Sequence, residues 1–420
     1  MSGIAQGEAL GINGLGRIGK LTLWHHVARR RFERLVVNLG REAGTGLEAV
    51  CGAIENDSTY GSIHRFLHGI DAAPCVRIVD REAGLLEVAG VPVTVLRTAR
   101  NPKDIDWRGQ RVRLVVDTTG AFDDPTLAVD SPRGSLRGHL LAGAEKVIYS
   151  AAFKTTSSGL SMPDDATTLI YGINHEAFDP RRHDLISAAS CTTTALAHMV
   201  KPLIERLDPT TIMTASMSTV HALTNSQSVL DSVPGAGTSD LRRSRSALNS
   251  IILTSTNAAS ALEQVIPEIR DVGFMADSVR IPIPTESLII LNMTFQTRIT
   301  DGGQSTITRE ILNQLYADVA DASGGGLLVY SERQNVPADV IGVRAAVVIE
   351  GVETHTRTGF VTVDLGSLPG LAPEVREHLG SGVIQVPVTH AKIFGWYDNE
   401  YGSYTNLLGD LTEHVHRSLE

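Results

Sequence analysis

The sequence predicts an α/β domain followed by a second domain of the α+β class. A glycine-rich turn between an apolar strand and a helix indicates the first domain, together with near-continuous apolar segments typical of buried parallel strands. Segments in which apolar and polar residues alternate, as they do in antiparallel strands, indicate the second domain. A chain of 420 residues with 42% hydrophobic and 20% charged residues is large enough for two such cores.

The amino-terminal turn has the pattern of a dinucleotide-binding site. An apolar segment, residues 9–12, precedes Asn13, Gly14 and Gly16, and apolar residues then recur at helical spacing through residue 28. Gly14 and Gly16 allow a tight turn and the close approach of a pyrophosphate to the start of a helix. Glycine turns are common, but the strand before and the helix after are both predicted here. We therefore expect a Rossmann domain.

The second predicted strand, residues 35–38, ends without the acidic residue that binds the ribose hydroxyls in this fold. Leu39 and Gly40 follow the strand, and Arg41 comes next. An arginine at this place can accept the 2′-phosphate of NADP, which favours NADP over NAD. The alternative is a solvated loop arginine, with Glu42 or backbone groups at the ribose. Both cofactors remain open.

Further segments predict the rest of the two sheets. Strands of the first domain are expected at residues 76–79, 85–88, 91–96, 114–120, 146–150 and 169–174. In the second domain, strands are expected at residues 213–220, 287–298, 344–349 and 360–365, with helices at 305–320 and near 407–411. The predicted boundaries are 1–190 for the Rossmann domain, 191–397 for the second domain and 398–420 for a helix that packs back on the first.

The residues around Cys191 predict a nucleophile at the start of a helix. Hydroxyl side chains are frequent over residues 187–194, and apolar residues recur at three- and four-residue steps from residue 196 to residue 207. The free N–H groups and positive end of such a helix favour thiolate over thiol. Pro202 predicts a kink or an end near Lys201. The alternative is a small buried cysteine under a polar cap.

His221 is the candidate partner of Cys191. It directly follows the strand predicted at 213–220, and a histidine beside a cysteine can activate it. As a cation it would stabilise the thiolate and then transfer a proton. Most of the 14 histidines must be surface or hydrogen-bonded core residues, and we interpret His198 in that way. Spacing alone leaves the pairing open.

Composition narrows the class of protein. A formal net charge of −10 argues against general nucleic-acid affinity. Three cysteines with no C-x-x-C pair form neither a disulfide framework nor an evident zinc site, so we expect no metal and a reducing compartment. The amino terminus has no signal-peptide pattern, and no run of 18 apolar residues occurs. The expectation is a cytoplasmic protein without a membrane partner.

Seven short stretches, in their order along the chain, resemble the phosphorylating glyceraldehyde-3-phosphate dehydrogenase family. They are GINGLGRIG at 11–19, SCTT at 190–193, TVH at 219–221, TN at 224–225, DLRR at 240–243, RIP at 280–282 and WYDNE at 396–400. The resemblance covers nearly the whole chain. It implies that Cys191 attacks an aldehyde carbon with His221 as acid and base. Hydride would pass to the nicotinamide, and inorganic phosphate would cleave the resulting thioester to an acyl phosphate.

The same resemblance implies the remaining site residues and the partners. The full set of expected cofactor-binding residues includes those of the glycine turn and of the strand ends. It comprises Asn13, Gly14, Gly16, Arg17, Ile18, Arg41, Thr119, Ser150 and Asn399. The substrate-phosphate site resembles Thr224 with Arg280, and the site of the attacking phosphate resembles Ser190, Thr192 and Thr256 with Arg243 nearby. The partners are a small phosphorylated aldehyde and inorganic phosphate. A homotetramer is also implied.

Several positions depart from the family pattern. Thr194 stands where asparagine is usual, Ser226 replaces an acidic residue, and Asn257 replaces a glycine. The aromatic residue usual three positions after Glu400 is Ser403, with Tyr404 one step later. Three alternatives therefore stay open: erythrose 4-phosphate as the substrate, oxidation directly to the acid without phosphate, and a degenerate relative that binds the cofactor and senses redox state.

Overall fold

The computed structural model describes residues 8–155, 160–208, 211–323, 326–367, 372–378 and 382–419. The strands are β1 Ala9–Asn13, β2 Arg34–Asn38, β3 Asn56–Asp57, β4 Gly61–Ser62, β5 Val76–Asp80, β6 Leu85–Val88, β7 Val91–Leu96, β8 Val112–Asp117, β9 Lys146–Tyr149, β10 Ala166–Thr168, β11 Leu185–Ser187, β12 Ile212–His221, β13 Ile252–Thr254, β14 Gly273–Arg280, β15 Ser287–Gln296, β16 Leu328–Ser331, β17 Val347–Glu350, β18 His355–Asp364 and β19 Val383–Tyr397. The helices are α1 Arg17–Arg29, α2 Leu47–Glu55, α3 Ile63–His68, α4 Arg137–Leu141, α5 Cys191–Arg206, α6 Ala258–Val265, α7 Arg309–Ala322, α8 Pro337–Val340, α9 Pro373–His378 and α10 Asn406–Arg417.

The chain forms two compact units. The first comprises Met1–Thr194, Ile341–Ala346 and Asp398–Glu420. The second comprises Ala195–Val340 and Val347–Tyr397. Each unit contains one large sheet. Among the described residues, none of the helices combines the length and the apolar character that crossing a membrane requires.

The first unit is built on a nine-stranded sheet in the order β10-β11-β9-β8-β1-β2-β7-β6-β5. Strands β10 through β7 pair in parallel, and β6 and β5 continue the sheet antiparallel. Every residue of β1, β2 and β9 is buried, which explains why these strands read as continuous apolar runs. The predicted Rossmann fold is confirmed.

The second unit contains an eight-stranded sheet in the order β13-β14-β12-β15-β19-β17-β16, with β18 paired to β19. The pairs β12–β14 and β16–β17 are parallel, and the others are antiparallel. Burial alternates along β15, as expected for a strand with one face on a core. The predicted second domain of mostly antiparallel sheet and helices is confirmed.

Two local predictions are wrong. Residues 169–174 form a turn after β10, because the Asn174 side chain accepts a hydrogen bond from the Ile170 N–H at 2.8 Å and donates one to the Thr168 carbonyl at 2.9 Å. Of the kink or early end expected near Lys201, the early end is wrong, because helix α5 continues through Pro202 to Arg206. Its apolar side chains from residue 195 to residue 203 are buried, and this burial outweighs the cost of an internal proline.

Candidate active site

The glycine turn and Cys191 emerge at one edge of the first unit's sheet. In the parallel ladder, Asn13 is opposite Asp117, Asp117 is opposite Tyr149, and Tyr149 is opposite Ser187. The carboxyl ends of β1, β8, β9 and β11 are therefore level with one another. Ligands of open parallel sheets bind outside these carboxyl ends. Cys191 follows Ser187 by four residues, so it lies on the ligand side of the sheet.

The turn between β1 and α1 is shaped to receive an anion. Gly14 has a φ of +99°, and a Cβ atom on Gly19 would lie 2.2 Å from the Gly14 carbonyl oxygen. Gly16 is the N-cap of α1, with no side-chain cap, and the first turn of the helix has no acidic residue. The backbone N–H groups at this helix start are thus available to a pyrophosphate. Ile18 is half-buried in the same turn.

The Arg17 side chain binds two carboxylates of the protein. Its guanidinium group lies 2.5 Å from Asp57 and also pairs with Glu400. Burial alone would lower the pKa of Arg17, but the hydrogen bonds to Glu400 and Asp57 outweigh it and raise that pKa. The guanidinium is therefore engaged inside the protein. Any contact of Arg17 with a pyrophosphate is best made by its backbone N–H.

A buried carboxylate supports the turn from below. Asp117 is fully buried, and its Oδ2 accepts hydrogen bonds from Asn13 Nδ2 at 2.7 Å and His139 Nε2 at 3.0 Å. Its Oδ1 accepts from the N–H and hydroxyl of Thr119 at 3.0 and 2.6 Å. Trp107 Nε1 donates to His139 Nδ1, so a neutral His139 carries its proton on Nε2. The side chains of Asn13 and Thr119, predicted to bind the cofactor, are thus parts of a buried network that the sequence did not predict.

Three arginines surround the end of β2. Arg41 is exposed, Arg97 lies 3.0 Å from Glu42, and Arg100 Nε donates to the Gly40 carbonyl at 3.2 Å. Strands β2 and β7 are parallel, and their carboxyl ends are level. Arg97, the residue after β7, therefore lies beside the end of β2. Of these three arginines, only Arg41 was predicted from the sequence. The pairing of β2 with β7, which the sequence does not show, brings the other two arginines to the same place.

Cys191 is the first residue of α5, as predicted, and it is half-buried. The Ser190 hydroxyl accepts a hydrogen bond from the Thr193 N–H at 3.1 Å and so caps the helix. The sulfur lies 4.0 Å from the Asn399 side-chain nitrogen and 4.0 Å from the Thr192 hydroxyl. Two residues that the resemblance places in different sites, Asn399 and Thr192, are therefore both next to the sulfur.

The Asp398 side chain fixes the turn that carries Asn399. Its carboxylate accepts hydrogen bonds from the Tyr60 hydroxyl at 2.6 Å, the Gly402 N–H at 2.9 Å and the Gly342 N–H at 3.1 Å. Asp398 is 2% exposed and Asn399 is 7% exposed. A buried acceptor with several donors holds one backbone conformation, so the Asn399 amide has a defined position.

His221 ends β12 in the second unit and pairs in register with Arg280 of β14. Burial, together with the Arg280 guanidinium, lowers the pKa of His221 to about 3. The imidazole is therefore neutral at neutral pH. This differs from the cationic form that we predicted, because the sequence showed neither the depth of the histidine nor the arginine beside it.

The tautomer of His221 decides what it can do. Nδ1 of His221 lies 2.7 Å from the Ala222 carbonyl and also contacts Arg280 Nη1, which itself donates to that carbonyl at 3.1 Å. One ring nitrogen cannot donate to the carbonyl and accept from the guanidinium at once. The carbonyl can only accept and lies at an ordinary hydrogen-bond distance, so the neutral ring donates to it from Nδ1, and Nε2 carries no proton and can accept one.

The predicted anion residues of the second unit lie in two groups. Thr224 is exposed, and its hydroxyl lies 2.9 Å from both Ser226 and the Gln227 side chain. It follows the strand that ends at His221, which is paired with Arg280, so Thr224 and Arg280 lie at the same end of β12.

The second group adjoins a cavity. Arg243 is exposed and lines a cavity of about 450 Å³ with Ser255, the residue before the half-buried Thr256. Most of the other lining residues belong to the segment 232–240. Arg243 and Thr256 are thus neighbours through Ser255. Cys191 belongs to the first unit and His221 to the second.

A cluster of two histidines and a glutamate also lies in the first unit, although no metal was expected. The ligand atoms of His175, Glu176 and His414 lie within 4.8 Å of one another. The Gly172 N–H donates to His175 Nδ1 at 3.0 Å, so a neutral ring carries its proton on Nε2, 3.3 Å from Glu176. Contacts with Gly172 and Glu176 thus account for the position of the His175 ring.

These features define a dinucleotide-dependent enzyme with a cysteine at a helix start. Comparison with known proteins specifies it further. Residues 9–125 match the NAD binding domain of glyceraldehyde 3-phosphate dehydrogenase, and residues 190–363 match the C-terminal domain of that enzyme.

Similar proteins cover almost the full chain. Glyceraldehyde-3-phosphate dehydrogenase 2 of Streptomyces avermitilis is 31% identical over 411 residues, which span 98% of this chain and 99% of the relative. Glyceraldehyde-3-phosphate dehydrogenase 2 of Bacillus subtilis is 30% identical over 404 residues, with 96% and 95% covered. The enzyme of Streptomyces coelicolor is 31% identical over 411 residues, with 98% and 99% covered. This chain belongs to the glyceraldehyde-3-phosphate dehydrogenase family.

Proposed function

We propose that this family member, an NAD(P)-dependent dehydrogenase acting on glyceraldehyde 3-phosphate, works by the phosphorylating route through a thioester on Cys191. The observation that carries the proposal is the position of Cys191. It is the first residue of α5, next to Asn399, and it follows β11 at the sheet edge from which the glycine turn emerges. The overall products are 1,3-bisphosphoglycerate and the reduced cofactor.

The glycine turn fits a dinucleotide, because its glycines leave room for a pyrophosphate and the start of α1 is uncapped. When bound, the nicotinamide accepts a hydride. Gly14, Gly16 and Ile18 would hold the pyrophosphate, and Asn399 would orient the carboxamide. Thr119 and Ser150 follow strands β8 and β9 at the same edge, where they would line the cofactor.

The Cys191 sulfur attacks the aldehyde carbon and forms a thiohemiacetal. N–H groups at the start of α5 favour the thiolate that makes this attack. His221, neutral in the free protein, then takes the hydroxyl proton as hydride leaves the carbon, which produces the thioester. Inorganic phosphate attacks the thioester carbon and the sulfur leaves as thiolate.

The two phosphate groups would bind at separate places. Thr224 and Arg280 suit the substrate phosphate, since a hydroxyl and a guanidinium group are frequent phosphate ligands. For the attacking phosphate, Ser190, Thr192 and Thr256 would supply hydroxyl groups and Arg243 a charge. Thr192 lies 4.0 Å from the sulfur, which supports its place at the reacting carbon.

NADP is the proposed preferred cofactor. Arg41, Arg97 and Arg100 surround the end of β2, where NAD-specific domains carry an acidic residue. Glu42, the nearest carboxylate in sequence, is paired with Arg97. We also propose a homotetramer in the cytoplasm, supported by the family and by three free cysteines, which suit a reducing compartment.

Initial rates test these assignments. We would measure oxidation of glyceraldehyde 3-phosphate and erythrose 4-phosphate with NAD and with NADP, each with and without inorganic phosphate. The proposal predicts a phosphate requirement, a preference for the triose and a lower KM for NADP. Oxidation that proceeds equally without phosphate would contradict the phosphorylating route.

A variant tests the cofactor preference. Arg41→Ala should raise the KM for NADP about tenfold and leave that for NAD within about twofold, because only NADP carries the 2′-phosphate. Arg181→Ala is a matched control, because Arg181 is also an exposed arginine. It follows Pro180, whose carbonyl accepts a hydrogen bond from Lys146 at the amino end of β9, so it lies near the amino end of that strand. Equal losses for both cofactors would remove Arg41 from this role.

A further inference from the structure

The backbone immediately before Cys191 has an unusual conformation. Ala189, two residues before the nucleophile, has a φ of +56° and is completely buried. This left-handed region is disfavoured for residues with a Cβ atom, and glycine is its usual occupant. The direction in which the chain enters α5, and therefore the position of the sulfur, depends on this residue. Something in the structure must hold Ala189 there.

Side chains bind both polar groups of Ala189. Its N–H donates to the Ser187 hydroxyl at 3.1 Å, and that hydroxyl donates to the Ala151 carbonyl at 2.8 Å. The carbonyl of Ala189 accepts a hydrogen bond from the Tyr404 hydroxyl at 3.0 Å. Ser187 is the last residue of β11, only two residues before Ala189. Tyr404 is 215 residues away in the sequence, so it anchors the loop to another part of the first unit.

A widened helical turn places Tyr404 beside Ala189. Residues Tyr401–Thr405 form a π-helical turn, and the Thr405 N–H donates to the Glu400 carbonyl at 2.7 Å. Such a turn contains one more residue than an α-helical turn, and it rotates the side chains that follow. The Ser403 hydroxyl therefore binds the Ala346 carbonyl, and Tyr404 takes the place next to the nucleophile loop.

The Tyr404 hydroxyl is suited to this contact. Tyr404 is 4% exposed, and burial, with Cys191 and Tyr149 contributing, raises its pKa well above the ordinary value. The hydroxyl therefore keeps its proton at every pH at which the enzyme works. It remains a donor to the Ala189 carbonyl before and after Cys191 ionises.

We propose that Tyr404 is a positioning residue, whose hydroxyl holds Ala189 in the left-handed conformation that directs the Cys191 sulfur toward the ligand side of the sheet. The inference rests on the proposed function only in taking Cys191 as the nucleophile. Its effect is on the reactivity of the sulfur and on kcat. Substrate affinity, which depends on other residues, should change little.

Alkylation of Cys191 by iodoacetamide, followed from pH 6 to pH 10, tests the proposal without any aldehyde. We expect Tyr404→Phe to slow alkylation about tenfold at neutral pH and to lower kcat about tenfold, because the left-handed conformation loses its anchor. KM for the aldehyde should stay within about twofold. Phenylalanine keeps the buried ring, so the fold is preserved.

A second substitution separates positioning from a general loss of structure. In the double variant Ala189→Gly with Tyr404→Phe, glycine adopts the left-handed conformation without steric cost, and alkylation should return to within about threefold of the wild-type rate. Tyr316→Phe is the matched control. It removes a buried tyrosine hydroxyl that donates to the Met199 carbonyl on α5 at 2.7 Å, and it should lower Tm without changing alkylation.

Two results would overturn the proposal: an unchanged alkylation profile in Tyr404→Phe, or a double variant as slow as the single one. Rapid alkylation of the wild-type protein without any aldehyde oxidation would instead count against the proposed function. The alkylation series would decide the role of Tyr404 in that case as well.

Discussion

Replacement of Asp117 by asparagine tests whether the buried carboxylate under the glycine turn supports the first unit. The wild-type carboxylate accepts four hydrogen bonds: two at Oδ2, from Asn13 and His139, and two at Oδ1, from Thr119. Asparagine keeps the shape of the side chain but has one oxygen and one NH₂ group. With its oxygen toward Asn13 and His139, the amide places its NH₂ group toward Thr119. The Thr119 hydroxyl can rotate to accept from that group, so the Thr119 N–H is the donor left without an acceptor.

The size of the effect follows from this count. A donor left without an acceptor costs about 1–3 kcal/mol, and one such donor is left here. For a domain of roughly 150–250 residues, each kcal/mol shifts Tm by about 2–4 °C. We therefore expect Asp117→Asn to lower the Tm of the first unit by roughly 2–12 °C. Calorimetry would measure it, with cofactor added in a parallel scan.

Asp123→Asn is the control. Asp123 lies 3.2 Å from Lys154, both side chains are partly exposed, and such a pair contributes about 0–1 kcal/mol. Its Tm should remain within about 2 °C of wild type. If Asp117→Asn shifted Tm as little as Asp123→Asn, the network would not stabilise the turn, and our account of Asn13 and Thr119 would fail.

Three further outcomes follow from the site. Cys191→Ser should abolish oxidation while cofactor binding, followed by titration, persists; retention of more than about a thousandth of the activity would exclude Cys191 as the nucleophile. His221→Asn should lower kcat by about 10²–10⁴, and since the pKa of His221 is about 3, the wild-type kcat/KM profile should show no histidine inflection between pH 5 and 7. Burial also lowers the pKa of His25 from 6.5 to about 3, so between these values the unfolded chain binds a proton that the folded protein does not. Stability should therefore fall as pH drops from 6.5 toward 3, by up to about 1.4 kcal/mol per pH unit from this group, and urea titrations of His25→Gln should show a shallower decline.

Local patterns in the sequence were sufficient for the parts of the protein that depend on neighbouring residues. The spacing of glycines after β1 predicted the dinucleotide turn, and the hydroxyl-rich run before the periodic segment predicted a helix that begins at Cys191. Apolar runs predicted β6 and β7 with their observed bounds. In each case the signal is either the backbone conformation that a turn requires or the spacing of the buried residues. Both lie within about ten residues of the feature that they predict.

Longer strands with mixed composition were missed. Strand β19, Val383–Tyr397, contains Pro387 and Gly395, which usually argue against a strand interior. Its partners β15 and β18 supply the hydrogen bonds, and a Cβ atom on Gly395 would lie 2.6 Å from the Met199 sulfur. Close packing against α5 therefore requires glycine there, and only the folded chain shows it.

The sequence by itself determined the class of fold, the dinucleotide turn and the cysteine at a helix start, because each is a property of one short segment. The tertiary structure decided the protonation and conformation of the groups around them. His221 is neutral because it is buried and lies beside Arg280. The carbonyl of Ala189 is anchored by Tyr404, which lies 215 residues further along the chain. Charge, burial and hydrogen bonds between distant segments depend on distances in space, which the order of residues does not specify.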